Sequence, residues 1–300
     1  MQVLIAGGSG TIGEAITHSL VSDGCSVMIL TRNPARVKET DKITAIRWDG
    51  KTADGWKDVI ERTDAILNLV GENLSTWPWT ETQKRRFLES RIHAGKAILA
   101  AVSSARRRPK VLIQASGINH YGIKGAVADE TSPPGDDFLA KLTLAWEDST
   151  RGVEELGVRR VVTRLAVVLA KGSGLLPLMS LPVRLFLGGK LGTGRQAVPW
   201  VHIQDVVHAL QFFLDNGQTQ GAYNLIAPTQ VSNADFYRLL AQTLKRPYWL
   251  PVPSFLLKLA LGEMATLVVD GRYAVPRRLM DAGYKFSFEN AAAALADLLG

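Results

Sequence analysis

Short apolar runs alternate along the first half of the chain with longer stretches whose apolar positions recur every third or fourth residue. Runs of the first kind read as strands buried on both faces and stretches of the second kind as amphipathic helices, so their alternation predicts a parallel sheet wrapped by crossover helices. The predicted strands cover Val3, Leu4 and Ile5, then residues 26–30, 43–48, 64–70, 110–115 and 158–165. The helices between them include one carrying Ile12, Ala15, Ile16 and Leu20, one over residues 80–103 with Phe87, Ile92, Ile98 and Leu99 on its apolar side, and one over residues 138–155. The expected fold is therefore α/β, a Rossmann-type doubly wound parallel sheet. From about residue 172 the pattern changes to a proline-broken apolar segment, a glycine-rich loop and shorter helices such as residues 233–244, which predicts a smaller C-terminal substrate lobe. Residues 1–171 with roughly 198–226 are expected to form the nucleotide-binding domain, and roughly 172–197 with 227–300 the small lobe.

Ligands of such sheets gather beyond the carboxyl ends of the strands. The first strand runs there into Gly7-Gly8-Ser9-Gly10-Thr11-Ile12-Gly13 and then a helix. Gly8, Gly10 and Gly13 satisfy one dinucleotide spacing, G-x-G-x-x-G, while Gly7, Gly10 and Gly13 satisfy another, G-x-x-G-x-x-G. Either predicts a phosphate cradle, because glycine admits a sharp turn, a close backbone approach to a pyrophosphate and tight packing of the helix whose N–H groups face the anion. The second strand ends in Thr31-Arg32, where an NAD site places an acidic side chain on the ribose 2′-hydroxyl. A guanidinium pairs instead with a 2′-phosphate, and Arg36 and Lys38 add positive charge nearby. The expected cofactor is NADP(H); the alternative is that Arg32 is an ordinary solvated arginine.

Composition narrows the classes further. At 300 residues, 46% hydrophobic and 21% charged, the chain can bury a large core. The net charge of +7 raises nucleic acid as a partner, and Lys84-Arg85-Arg86 and Arg106-Arg107-Arg108 form basic clusters. No nucleic-acid motif accompanies them, and both fall on or beside predicted helices as solvated faces, so no nucleic acid is expected. The single cysteine, Cys25, excludes an internal disulfide and reads as a packing residue. With a strand beginning at once after Met1, it points to a cytoplasmic location. The longest apolar stretch, residues 255–269, contains Lys258 and Glu263 and is too short to span a bilayer, so no membrane is expected as a partner. No His, Cys, Asp or Glu cluster has metal-ligand spacing. The expected partner is a small-molecule substrate, with a homo-oligomer left open.

Motifs spread over most of the chain resemble one family. They are the opening glycines, Asn68-Leu-Val-Gly-Glu-Asn73, Glu89-Ser-Arg91, Ser116 followed by Tyr121-Gly122, residues 138–147 ending in Trp146-Glu147, Pro199-Trp-Val-His202-Ile-Gln-Asp205, and Tyr223-Asn224-Leu. Together they are similar to the extended short-chain dehydrogenases/reductases of the NAD-dependent epimerase/dehydratase type, and more closely to an atypical branch of YfcH-type epimerase family proteins. Val275-Pro276-Arg-Arg-Leu and Gly283-Tyr-Lys-Phe resemble the C-terminal extension of that branch. The resemblance implies an NADP(H)-binding oxidoreductase or epimerase acting on a small polar substrate, including a nucleotide-linked one. In that superfamily a tyrosine made acidic by a lysine one helical turn on exchanges a proton with the substrate, while a serine hydrogen-bonds the reacting oxygen.

Here the pair is broken. The family pattern sets Phe138 where the tyrosine would stand and Leu142 where the lysine would stand, and Lys141 is one position off, rotated about 100° around the helix. The serine position matches Ser116. Tyr121 on the same loop carries a phenol that could stand in as the proton-exchanging group, as could His120, since histidine ordinarily titrates near neutral pH; the alternative is that Tyr121 packs and His120 is solvated. The resemblance also sets Leu69, Val70 and Gly71 along the adenine and pyrophosphate, Arg91 toward the dinucleotide or else on a helix surface, and the Ala166-Val167 backbone against the nicotinamide amide. Lys190 and Arg195 are candidate anion ligands or a solvated turn, Asp205 a helix N-cap, and His202 a structural hydrogen-bonder. A broken pair also fits a second class, a catalytically degenerate NADP(H)-binding sensor acting through a protein partner.

Overall fold

A computed structural model describes Met1–Gly300. Its main sheet has seven strands, all parallel: β1 (Gln2–Ala6), β2 (Ser26–Thr31), β3 (Ile43–Arg47), β4 (Ala65–Asn68), β5 (Val111–Gly117), β6 (Arg159–Leu165) and β10 (Gly221–Leu225). Their spatial order is β3-β2-β1-β4-β5-β6-β10, so the winding reverses between β1 and β4. That reversal opens a crevice at the carboxyl ends of β1 and β4, the place where doubly wound sheets hold their ligands.

The sheet is central because its strands are apolar on both faces: Val3, Leu4, Ile5 and Ala6 are all fully buried. On one face Ile16 and Leu20 of α1 (Thr11–Ser22) pack with Leu210 and Phe213 of α5 (Ile203–Asp215). On the other, Ala94, Ile98 and Val102 of α2 (Glu81–Ser104) meet Trp48 and Trp56. Helix α3 (Phe138–Asp148) packs against α2 and β5. It ends earlier than the pattern of residues 138–155 predicts, because Ser149 folds its hydroxyl back onto Trp146 O at 2.7 Å and a short 3-10 turn, Arg151–Val153, follows.

A second, smaller sheet joins β7 (Val167–Ala170) and β9 (Trp200–His202), both from residues expected in the nucleotide-binding domain, with β8 (Ser173–Gly174) from the expected small lobe. Around it stand α4 (Leu176–Arg184), α6 (Asn233–Thr243) and α10 (Ala291–Leu299), sharing a core of Val183, Trp200, Phe236, Leu240 and Leu295. Helix α7 (Ser254–Leu261) is exposed and leads through a short turn into α8 (Thr266–Val269), and α9 (Arg277–Asp281) packs on β10. The lobes interleave: Ala274, Leu279 and Tyr284 return to the core beneath α1 and α5. Asp205 explains part of this return. It was expected to cap α5, but His202 is the cap, its Nδ1 accepting from Gln204 N at 3.2 Å. One turn further in, the buried Asp205 carboxylate accepts from Ser287 N at 2.6 Å and Phe288 N at 3.0 Å, pinning the C-terminal segment to the large lobe.

Candidate cofactor and active site

The glycines after β1 have separable tasks. Gly7 sits at φ +86°, and a Cβ there would lie 3.0 Å from the backbone of Leu69 at the end of β4. Only glycine allows β1 and β4 to turn past each other this closely. Gly10 opens α1 without any side-chain cap, leaving the N–H groups of Thr11, Ile12 and Gly13 facing outward from the helix start. A Cβ on Gly13 would collide with Gly7 O and stand 2.5 Å from Gly8 Cα, so this glycine lets the helix close onto the turn. Gly8 is needed for a different reason, its Cα face lying under Ile29 of β2 at 2.7 Å from a built Cβ. The turn and helix-packing roles thus fall on Gly7 and Gly13, the wider of the two spacings. The cradle fits a pyrophosphate: bare backbone, free N–H groups and a helix N-terminus converge on one crevice.

At the end of β2, Thr31 is buried and its hydroxyl accepts from Asn33 N at 3.2 Å, while Arg32 is exposed and makes no ion pair. Arg36, in the Pro34–Arg36 turn, is exposed beside it. Leu69 and Val70 are half-buried and Gly71 is exposed on the loop after β4. Arg91 lies behind this loop, 5% exposed, its Nη1 donating to Phe87 O at 2.9 Å and its Nη2 to Glu72 O at 3.1 Å. Its guanidinium stacks 4.6 Å from the Trp146 ring, and Nε has no partner. Burial lowers the Arg91 pKa to about 10, so the side chain stays charged at neutral pH with no carboxylate bonded to it. A Cβ on Gly71 would touch the guanidinium at 2.9 Å, so Arg91 buttresses the loop from inside the protein. At the far end of the crevice the Val167 N–H is engaged by Pro199 O at 3.0 Å and the Ala166 N–H by Leu225 O at 3.1 Å.

Ser116 and Tyr121 come together through Glu147, quoted above only as the end of a family motif, and Arg164, which the sequence reading passes over. Ser116 Oγ donates to Glu147 Oε1 at 2.7 Å; Arg164 Nε and Nη2 donate to the same carboxylate at 2.9 and 3.0 Å. Arg164 Nη1 then donates to the Tyr121 hydroxyl at 2.9 Å, which in turn donates to Asn224 Oδ1 at 2.7 Å. Asn224 Nδ2 closes the chain on Val275 O at 2.9 Å, tying the last strand of the main sheet to the C-terminal extension. Ser116 is 2% exposed and Tyr121 1% exposed.

Burial alone would raise the Glu147 carboxyl, but the bonds and charge of Arg164 outweigh it and hold the group below its ordinary value. Burial raises the Tyr121 phenol, only partly offset by Arg164. Burial pushes His120, whose Nδ1 lies 3.5 Å from Glu147, down to about 4. Tyr121 and His120 are therefore both neutral near pH 7, and His120 is buried rather than solvated. Nothing in the sequence sets Glu147 and Arg164 apart, since Lys141 and Asp148 share the helix and Arg159 and Arg160 the strand, and burial of a charge shows only once its partner is known.

In front of this network a cavity of about 590 Å³ opens between the lobes. Its walls include Asn119, Gly122, Asp137, Phe138, Lys258 and Asp270. Phe138 faces it from the start of α3, T-stacked on Trp79 at 5.9 Å, while Leu142 is buried. Asp137 caps α3, its Oδ1 accepting from Ala140 N at 2.9 Å. The Asn119 side chain has no protein partner and is half-buried. Lys190 and Arg195 are exposed on the small lobe away from these walls. His202 stacks on Phe288 at 3.8 Å between ring centres, a structural placement. No group of three or more His, Cys, Asp or Glu is placed to hold a metal, and no helix is long and apolar enough to cross a membrane.

The profile of the NAD dependent epimerase/dehydratase family matches residues 3–225, and a domain of unknown function, DUF1731, matches residues 252–298. This chain belongs to the NAD dependent epimerase/dehydratase family. Among its relatives, epimerase family protein YfhF of Bacillus subtilis is 34% identical over all of this chain and 98% of its own length. Epimerase family protein SDR39U1 of Bos taurus is 36% identical, with both chains fully covered. A crystal structure of human SDR39U1 with NADPH superposes with a TM-score of 0.87 at 32% identity, covering all of this chain and 99% of that one. The likeness to SDR39U1 thus runs along the full chain, C-terminal extension included.

Proposed function

We propose that this member of the family is an NADP(H)-dependent oxidoreductase or epimerase whose substrate is a small polar molecule held in the cavity between the lobes. The observation that carries the cofactor assignment is the pairing of the Gly7-Gly10-Gly13 cradle with an exposed, unpaired Arg32 at the end of β2. Thr11, Ile12 and Gly13 would face the pyrophosphate, Thr31 and Arg32 the adenosine ribose and its phosphate, and Leu69, Val70 and Gly71 the opposite wall. Arg91 holds that wall in place, and Val167 would stand at the far end of the crevice. The human relative was crystallised with NADPH, which supports the same cofactor here. Bound NADP(H) would supply or accept a hydride.

Ser116 and Tyr121 serve this reading by position, since both hydroxyls are spent on Glu147, Arg164 and Asn224. Proton exchange with substrate falls to the cavity wall, where Asp137 is the carboxylate beside the Phe138 position. Of the wall charges, Asp137 and Asp270 have no cationic partner and Lys258 no anionic one, while Glu263 is paired with Lys84. That balance suits a substrate of low charge; a diphosphate would find one cation there. The test is a titration of the protein with NADPH and NADH, followed by a turnover screen of hydroxyl and carbonyl compounds on wild type and Asp137→Asn. NADPH should bind more tightly than NADH, and the variant, which keeps the helix cap, should bind cofactor but lose turnover. Equal binding of the two cofactors would defeat the assignment. The sealed Ser116 and Tyr121 and the Phe138 and Leu142 substitutions favour a second reading, a cofactor-bound sensor; it gains the field if NADPH binds and no compound oxidises it.

A further inference from the structure

Most of the large hydrophobic side chains left exposed in this protein collect on one part of the small lobe. Leu181 and Leu185 stand on and just beyond α4, Phe186 follows, and Trp249, Phe255 and Leu259 come from the other side of a short parallel pairing at Leu191 and Val252. They protrude rather than line a groove: Trp249 is 63% and Leu259 83% exposed, and α7 has no buried residue at all. The two segments meet directly, Trp249 Nε1 donating to Phe186 O at 3.0 Å and the Arg246 guanidinium lying 4.6 Å from the Phe186 ring centre.

The charges carried by these two segments themselves have one sign, the nearby acids Asp235 and Glu263 being paired with Arg238 and Lys84. Residues 176–195 and 245–262 contain Arg184, Lys190, Arg195, Lys245, Arg246 and Lys258 and no Asp or Glu, and all of these cations are exposed without a salt bridge. The backbone is also held unusually here. Phe186 at φ +64° and Lys245 at φ +54° are the only non-glycine residues of the chain with positive φ, a conformation that costs energy and keeps the Phe186 ring turned outward beside Arg246.

We infer that this face docks on an anionic lipid surface. Protruding Trp, Phe and Leu tips enter the interfacial region of a bilayer, while Lys and Arg stems lie along the apolar surface and carry their charges to the headgroups. A second copy of this chain fits less well, because a twofold contact would bring the same unpaired cations against each other. The expectation that the chain has no membrane partner rested on the absence of a spanning segment, and lying on a surface needs none. Helix α7 also contributes Lys258 to the cavity, so docking would bring the cavity mouth to the lipid.

The experiment is vesicle flotation of the full chain with phosphatidylcholine alone and with ~30% phosphatidylglycerol added. The protein should float with the anionic vesicles and at least about tenfold less with the neutral ones, and binding should fall in about 0.5 M salt. Leu181→Ser, Phe255→Ser and Leu259→Ser combined should abolish flotation, as should Lys245→Glu with Arg246→Glu. NADPH affinity and the thermal transition report that these exposed-site variants are folded. Absence of flotation, equal flotation with both vesicles, or variants that float like wild type would overturn the inference. So would a doubled mass in light scattering that the serine variant abolishes, since that assigns the face to a second copy.

Discussion

The two ends of the crevice are built in opposite ways. At the cofactor end, a handful of consecutive residues after β1 do the work: Gly7 turns, Gly13 lets α1 close, and the helix start supplies N–H groups, all within one strand-turn-helix unit. At the other end, Ser116 of β5, Glu147 of α3, Arg164 of β6 and Asn224 of β10 meet in one buried chain of hydrogen bonds, although they are scattered over more than a hundred positions. The first arrangement is carried by consecutive residues, its outside requirements being only the close approach of Leu69 and Ile29 to Gly7 and Gly8. The second exists only when four elements are packed, and its charges are safe only while every partner is present. A cofactor cradle can thus persist while the chemistry beside it changes, which is what Phe138 and Leu142 record.

The sharpest way to break this comparison is Glu147→Ala. It leaves the Arg164 guanidinium buried without its counter-ion, so urea unfolding should show a loss of about 3–5 kcal/mol while the local cradle still binds NADPH in the folded fraction. A loss under about 1 kcal/mol would mean that the network is not what holds this end together. Next in size, Arg32→Glu acts at the cradle alone. NADPH affinity should fall by about ten- to a hundredfold from the lost charge-assisted bonds, with NADH affinity and stability nearly unchanged by fluorescence titration and thermal melts.

Acid should distinguish the two ends as well. His120 titrates at about 4 in the folded protein against 6.5 as its ordinary value, so the unfolded chain binds more protons across that interval. Stability is fully present above pH 6.5 and declines as pH falls from there toward 4. Glu147, also held low in the folded state, adds to the loss below its ordinary value of 4.5. His120→Gln should flatten the upper part of that decline in equilibrium unfolding measured against pH. Smallest of all, Tyr121→Phe removes a phenol bonded to Arg164 and Asn224, and should cost about 1–2 kcal/mol with cofactor affinity intact. A large fall in turnover without any fall in stability would instead return Tyr121 to the reaction.

Legibility followed the same division. The strand read at residues 43–48 is Ile43–Arg47 and the helix read at 80–103 is Glu81–Ser104, because buried strands and long amphipathic helices write their periods into contiguous residues. Asp205 shows the opposite case. Its place near a helix start suggested a cap, but the carboxylate is claimed by Ser287 and Phe288, more than eighty positions away, and nothing near it in the chain announces those partners. The cavity wall was hidden in the same manner, since Asn119, Asp137, Lys258 and Asp270 become neighbours only when the small lobe folds over α3.

What the amino-acid order determined by itself was the doubly wound sheet, its glycine turn and the exposed arginine at the end of β2, since hydrophobic period, glycine spacing and strand ends are all read over a few consecutive residues. Tertiary structure alone decided that Ser116 and Tyr121 face inward to Glu147 and Arg164, that Arg91 lies behind the Gly71 loop, and that Asp137 and Lys258 face the cavity. The physical reason is that a side chain's role depends on which distant group satisfies its charge or hydrogen bond, and that partner is chosen by packing.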